Sequence, residues 1–190
     1  MKNKIFYLFL CVFLLNFKAF SSERFSYEAN EIKILDNGNL IKSTKGVKII
    51  LNENIEIIAD NFEYNKKKNL VKLTGNINVN DEINELNIEA NEVSYSISKN
   101  MIFSKTFSKF KFDNKYIAES DGFNYFIDSA KITSDNKMTV RDFLGNSFFI
   151  DSFKYEIEKG IFSGSNTKYV DKEKNTYFIS DTLINLKNNH

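Results

Sequence analysis

Residues that could catalyse a reaction or hold a metal are scarce in this sequence. Its 190 residues contain one cysteine, Cys11, and one histidine, His190. No serine-nucleophile motif, phosphate-binding glycine loop or zinc-ligand spacing is present. The neighbouring carboxylates Asp81 and Glu82 are of the type that cleaves glycans, but we interpret them as solvated turn charges. The sequence therefore predicts a protein that is not an enzyme and uses no cofactor.

An Asn or Asp recurs about every thirty residues and is the most regular polar feature of the chain. The six positions are Asn30, Asp60, Asn91, Asp121, Asp151 and Asp181. Side-chain oxygens at a fixed period bind Ca²⁺ in some β-repeat proteins, where many glycines and closely spaced Asp residues accompany them. Because this chain has only 7 glycines, we interpret the six positions as turns and predict no metal site.

Around each Asn or Asp, apolar residues occupy a fixed register, which is broken once, by Asn185 at the last position of the sixth repeat. One apolar position lies three residues before it, as at Ile57, and two more lie two and four residues after it, as at Phe62 and Tyr64. Apolar residues two apart indicate a strand with one buried face. The positions before and after the Asn or Asp differ in parity, so a straight strand would expose one set. We therefore predict that each repeat bends at this residue type, which tolerates left-handed backbone.

Short alternating segments separated by turn-forming residues fill the rest of each repeat. Examples are residues 47–49, 77–79 and 86–88, with turns at 36–39, 65–69 and 98–100. The 19 Phe and 9 Tyr residues favour strands. The predicted fold class is all-β, built from about six thirty-residue repeats, and no helix is expected beyond the N-terminal segment.

The N-terminal segment has the anatomy of a secretory signal. Lys2 and Lys4 precede an apolar run at residues 5–15, and small residues at 19 and 21 suit a signal peptidase. The run is too short to span a bilayer, which needs about 20 apolar residues. We predict a cleaved signal peptide at 1–21 and one exported domain at 22–190. Cys11 lies within the signal, so the mature domain is expected to contain no disulfide.

Charged residues of both signs are mixed along the chain. Lys and Arg total 26 and Asp and Glu total 25, so the formal net charge is +1. The basic run Lys66-Lys67-Lys68 is interpreted as a solubilising hairpin tip. Nothing in this balance indicates binding to nucleic acid.

Three stretches resemble a known repeat: TKGVKI at residues 44–49, IIAD at 57–60 and LTGNINV at 73–79. Together they are similar to the OstA-like repeat of the lipopolysaccharide-transport family, which includes LptA, LptC and the N-terminal periplasmic domain of LptD. The resemblance covers residues 25–110 and continues through the repeat register. It is closest to the N-terminal domain of LptD, because the repeat extends through six units. A stand-alone LptA-like bridge and a truncated LptD are both open alternatives.

The resemblance implies a twisted antiparallel β-jellyroll, open along one side and preceded by a signal peptide. It implies a periplasmic protein, associated with the outer membrane, that carries the lipid A acyl chains of lipopolysaccharide in an apolar groove. It also implies two kinds of protein partner. These are other jellyroll transport proteins, joined by edge-strand pairing, and an outer-membrane β-barrel in the LptD alternative.

The apolar positions of the repeat are the candidate lining of this groove. They are Ile57, Phe62, Tyr64, Ile88, Val93, Tyr95, Phe123 and Tyr125. Each buried methylene contributes about 0.8 kcal/mol, so such a lining could hold acyl chains without specific chemistry. The alternative is a structural β-repeat scaffold of the cell envelope, in which the same residues fill a closed core and bind no lipid.

Overall fold

The structure, a computed structural model, describes residues 25–113 and 115–174, together with the backbone of Tyr177–Asn185. The expected signal peptide at 1–21 lies outside the described residues. The described part forms 16 strands in one sheet, in which every strand pairing is antiparallel. This confirms the predicted all-β class. Within the described residues, no helix has the length and apolarity needed to cross a membrane.

The strands are β1 (Phe25–Ala29), β2 (Lys33–Leu35), β3 (Leu40–Ser43), β4 (Val47–Leu51), β5 (Ile55–Ala59), β6 (Asn61–Asn65), β7 (Leu70–Asp81), β8 (Leu86–Ser96), β9 (Met101–Phe112), β10 (Tyr116–Phe126), β11 (Lys131–Ser134), β12 (Met138–Asp142), β13 (Ser147–Ile150), β14 (Ser152–Glu156), β15 (Ile161–Val170) and β16 (Tyr177–Asn185). Single turns of 3₁₀ helix, Asp36–Gly38 and Ile127–Ser129, follow β2 and β10.

The sheet folds over itself into two layers, because its long strands bend in the middle and contribute one half to each layer. In β7, residues 70–74 pair with β6, whereas residues 78–81 pair with β5. In β10, residues 116–120 pair with β12, whereas residues 124–126 pair with β11. Layer 1 therefore contains β1, β4, β5, β12 and β13, and layer 2 contains β2, β3, β6, β11 and β14, each completed by halves of the long strands.

The bends fall at the Asn and Asp positions, as the parity argument predicted. β5 ends at Ala59 and β6 begins at Asn61, so the break between them is Asp60. β13 and β14 are interrupted in the same way at Asp151. In the continuous strand β10, the register against β9 shifts between Asp121 and Phe123. The layers are thus joined along one side of the molecule, where the chain turns from one layer into the other.

The prediction about backbone conformation was wrong in detail, because the left-handed residues lie opposite the bends. Asn76 (φ 44°) and Asn166 (φ 47°) have positive φ, whereas Asp60 and Asp151 do not. The Nδ2 atom of Asn76 donates to Asp60 Oδ2 at 2.8 Å, and that of Asn166 donates to Asp151 Oδ2 at 3.1 Å. The corners at Asp60 and Asp151 are therefore each fixed by an amide–carboxylate bond between the two strands that turn there.

The chain contains the same arrangement twice, 91 residues apart. The 3₁₀ turn that begins at Asp36 recurs 91 residues later, beginning at Ile127. The strands β3 to β7 recur in the same order as β11 to β15. Three thirty-residue repeats thus make one structural unit, and corresponding residues can serve as internal comparisons.

Candidate functional site: an apolar interior closed by a tyrosine row

The predicted lining residues lie in the apolar interior between the two layers. Seven are buried in one continuous core, and the eighth, Tyr64, is half-buried and packs against it. Ile57 and Ile88 belong to layer 1, and the other six belong to layer 2. The interior is filled by these side chains, so an acyl chain could occupy it only if the layers moved apart.

Near the corners, aromatic side chains of the two layers interdigitate. Phe110 of layer 1 contacts Phe123 of layer 2 edge to face, with ring centroids 5.0 Å apart. Tyr27 of layer 1 contacts Phe62 of layer 2 at the same centroid distance, 5.0 Å. Because the layers are covalently joined at this side, these contacts lie at the closed end of the interior.

Four tyrosines form a row at the other side of layer 2, which we call the tyrosine row. Its members are Tyr64, Tyr95, Tyr125 and Tyr155. Cross-strand pairing places all four in one register line, in which each tyrosine alternates with a smaller aliphatic residue of the intervening strand, Val71, Ile102 or Ile132. Neighbouring strands are about 4.8 Å apart, so successive tyrosines lie roughly 10 Å apart along the row.

The tyrosine row meets the ends of the layer 1 strands and closes the side opposite the corners. Phe25, the first residue of β1, packs edge to face on Tyr64 at 5.2 Å and on Tyr95 at 6.1 Å between centroids. Phe112, the last residue of β9, packs on Tyr155 at 5.0 Å. These contacts are non-covalent, whereas the chain itself joins the layers at the corners, so any separation of the layers would begin on this side.

The polar contact in this seam joins Tyr125 to Asp81, the last residue of β7. The Tyr125 hydroxyl donates to Asp81 Oδ2. The backbone N–H of Asn84 donates to Asp81 Oδ1 at 3.1 Å, and its Nδ2 donates to Asp81 Oδ2 at 2.9 Å. Burial, together with the neighbouring Asp81 carboxylate, raises the pKa of Tyr125 well above its usual range. A carboxylate and a phenol thus bridge the two layers at the seam.

The prediction that Asp81 is a solvated turn charge was wrong. Its side chain is 2% exposed, because Tyr125 and Asn84 cover it. A buried carboxylate needs such donors to replace water. Glu82, the next residue, is exposed in the turn as expected.

The remaining tyrosines of the row differ in their polar surroundings. Tyr95 donates its hydroxyl to Asn100 Oδ1 at 2.8 Å, and Asn100 Nδ2 donates to Asp128 Oδ1 at 2.6 Å. Burial and the nearby Asp113 carboxylate raise the pKa of Tyr155 to about 12. Phenols therefore place polar groups at the rim of the interior while their rings stay in the core.

The sequence-based list missed several residues of the seam. Tyr155 continues the tyrosine column of the repeat, so the periodicity was sufficient to find it. Phe25, Asp81 and Phe112 lie at strand ends outside the apolar columns, and the sequence gives no direct sign of their contacts across the layers.

The first edge of layer 2 exposes a short apolar strand. Among the described residues, β2 pairs with β3 alone, which leaves its other side open. Ile34, in the middle of this strand, is 67% exposed, and Ile32 and Leu35 beside it are also exposed. An open edge with apolar side chains is a template for pairing with another chain.

No family model and no curated protein matches the sequence. Among solved structures, the chain is similar to the crystal structure of LptH, described as the LptA homologous periplasmic component of the conserved lipopolysaccharide transport device from Pseudomonas aeruginosa. The TM-score is 0.51 and the sequence identity 15%, and the match covers 67% of this chain and 94% of that chain. This likeness establishes the fold: the chain is a β-jellyroll of the type seen in LptA homologues.

Proposed function

We propose that this protein is a non-enzymatic carrier of lipopolysaccharide, which holds the lipid A acyl chains between its two layers. The observation that carries the proposal is the continuous apolar interior, whose layers are covalently joined along one side only. The similarity of the fold to the periplasmic transport component LptH supports it.

The interior suits acyl chains because it offers apolar surface with few specific partners. Each methylene moved from water into such surroundings gains about 0.8 kcal/mol, so several saturated chains would be held tightly by burial alone. A polar headgroup would stay outside, where no desolvation is required. Ile57, Phe62 and Val93 would contact lipid when the layers are apart, and they lie in the core between the two layers when the layers are closed.

Access would occur through the seam at the tyrosine row. Opening there breaks the aromatic contacts of Phe25 and Phe112 and the bond between Tyr125 and Asp81. Tyrosine rings are apolar and their hydroxyls are polar, so they suit a boundary between acyl chains and a hydrated headgroup. The row would thus act both as the closure of the empty protein and as the rim of the loaded one.

The open edge at β2 supports a role in a chain of like domains. Its exposed backbone groups and the apolar Ile34 side chain fit addition of a strand from another jellyroll transport protein. Export to the periplasm and association with the outer membrane belong to the same proposal. Closer kinship with the N-terminal domain of LptD, and with it a β-barrel partner, stays a prediction.

A second candidate function is a structural scaffold of the cell envelope that binds no lipid. The closely packed interior favours it, because residues such as Ile57, Ile88 and Tyr95 have no exposed surface. The two candidates differ in whether the seam opens in the cell.

Site-specific photocrosslinking on β6 tests the lipid proposal. Phe62 and Tyr64 point into the interior, while Glu63 between them lies on the outer face and forms an ion pair with Lys42 at 2.7 Å. A photoreactive phenylalanine analogue would replace each residue in turn, and irradiated cells would be probed for lipopolysaccharide adducts.

Adducts from positions 62 and 64, absent from position 63, are the expected result. Because all three variants lie on one strand, differences in export or expression are controlled. An exported, folded protein that gives no adduct at 62 or 64 would refute the carrier proposal and leave the scaffold.

A further inference from the structure

The turn between β12 and β13 exposes two consecutive large apolar side chains. Phe143 is 74% exposed and Leu144 is 61% exposed, so neither contributes much to the core. Single exposed apolar residues are common on protein surfaces and need no explanation. An adjacent aromatic and aliphatic pair at the tip of a turn is a different case, because both side chains project into solvent at one point.

This turn is held rigidly by Asp142. The Asp142 carboxylate accepts hydrogen bonds from the backbone N–H groups of Leu144 and Asn146, both at 2.9 Å, through Oδ1. The backbone N–H of Gly145 donates to the Asp142 carbonyl at 3.0 Å. The backbone donors at positions 144, 145 and 146 are therefore satisfied within the turn itself, and the apolar pair is displayed on a fixed frame.

The duplicated arrangement shows that the fold does not require apolar residues at this tip. The corresponding turn, 91 residues earlier, joins β4 to β5. Subtracting 91 from 143 and 144 gives Asn52 and Glu53, which are both polar and exposed. The apolar pair is thus a property of this turn and not of the structural unit.

Cationic and further apolar residues lie at the same end of layer 1. The turn after β15 packs against this one, because the Lys172 backbone N–H donates to Asn146 Oδ1 at 3.1 Å. The Lys172 side chain lies along Gly145, where an added Cβ would be 2.8 Å from its Cδ. Lys174 in that turn is also exposed, and the acidic residues beside it are Glu173 and Asp171, whose Oδ1 accepts the backbone N–H groups of residues 173 and 174. The β7–β8 turn at this end adds Ile83, which is 70% exposed.

We infer that the β12–β13 turn is a membrane-surface anchor. Phe143 and Leu144 insert into the interface of a lipid bilayer, and the ammonium groups of Lys172 and Lys174 lie at the level of the headgroups. Apolar side chains beside lysines are the composition that binds such an interface. A bilayer fits this tip better than the edge of a protein partner, since its backbone donors at 144–146 are already satisfied and require nothing from the surroundings.

This surface lies outside the interior that would hold acyl chains, so the inference does not depend on lipid transport. Binding to a bilayer would place the end of layer 1, where Asp81 and Phe112 take part in the seam, close to a membrane. The carrier proposal could fail in the crosslinking experiment while membrane binding remained intact.

Tryptophan fluorescence gives a direct test, because the chain contains no Trp. Phe143→Trp would be mixed with vesicles of phosphatidylethanolamine and phosphatidylglycerol, and separately with phosphatidylcholine vesicles. Lys72→Trp, on the exposed outer face of layer 2, is the control. We expect a blue shift of the emission at position 143 and none at position 72, with both kinds of vesicle.

Vesicle co-flotation of a double variant provides the second measurement. Phe143→Asn with Leu144→Glu installs the polar pair of the corresponding turn, and both positions are exposed, so folding should be retained. Loss of two inserted apolar side chains should lower the partition coefficient about tenfold or more. Unchanged flotation of the double variant, an unshifted emission at position 143, or equal shifts at 143 and 72 would each overturn the inference.

Discussion

Replacing Tyr125 by Phe removes one hydroxyl from the interior without changing the shape of the ring. The hydroxyl donates to the buried carboxylate of Asp81, and this bond connects layer 2 to layer 1. Hydrogen bonds to charged groups contribute about 1.5–3 kcal/mol to stability. Asn84 still donates twice to the same carboxylate, so Asp81 keeps part of its solvation. We therefore expect Tyr125→Phe to lower the free energy of unfolding by about 2 kcal/mol.

Equilibrium unfolding in urea measures this difference, with the slope of the transition unchanged between variant and wild type. Tyr95→Phe is the matched comparison, because its hydroxyl is also buried in the tyrosine row but donates to the neutral amide oxygen of Asn100. That substitution should cost about 1 kcal/mol. If Tyr125→Phe lowered the free energy of unfolding by no more than Tyr95→Phe does, the idea that a hydrogen bond to a buried charge stabilises the seam would be refuted.

Three further predictions concern pH, the corners and the open edge. The pKa of Tyr155 is raised from 10.0 to about 12 by folding, so the folded state favours the protonated phenol. The stability that the raised pKa of Tyr155 confers on the folded protein is fully present below pH 10 and is lost as the pH rises towards 12. The unfolding midpoint of Tyr155→Phe should therefore fall less steeply over that pH range than the unfolding midpoint of the wild type. Gly75→Ala should lower the free energy of unfolding by about 2 kcal/mol or more, since φ is +80° and the new Cβ would lie 2.6 Å from Asp60 Oδ2. Gly38→Ala, with φ +87° and open space around it, should lower it by about 1 kcal/mol, as measured by thermal or urea unfolding. Equal losses of stability in the two variants would contradict this account of the corner. Ile34→Lys on β2 should reduce self-association in sedimentation velocity while changing stability by less than about 0.5 kcal/mol, and undiminished association would place the contact elsewhere.

The bends and the tyrosine row could be predicted because both depend on local sequence. Parity alone requires a corner between Ile57 and Phe62, and the structure has one at Asp60. The tyrosines of the row occur at one position of the repeat, so their common face follows from the period of a strand. These features repeat with the chain and need no knowledge of distant contacts.

The contacts across the layers could not be predicted, because they join residues far apart in sequence. Asp81 and Tyr125 are 44 residues apart, and an Asp beside a turn is usually solvated. The left-handed Asn76 is similar, since only the pairing of β6 with β7 brings it opposite Asp60. Such residues acquire their roles from the register between strands, which short-range patterns do not specify.

Because the chain alternates regularly between the layers, the length of the sandwich is proportional to the number of repeats. Between successive Asn or Asp corners the chain adds two strands to each layer, so each thirty-residue repeat lengthens the sandwich by about 10 Å. Insertion of a whole unit of 91 residues would extend the interior and the tyrosine row by roughly 30 Å without any new type of contact. The distance that one such chain can span is therefore set by its number of repeats. That distance can change by whole repeats while the first and last strands of the sheet stay the same.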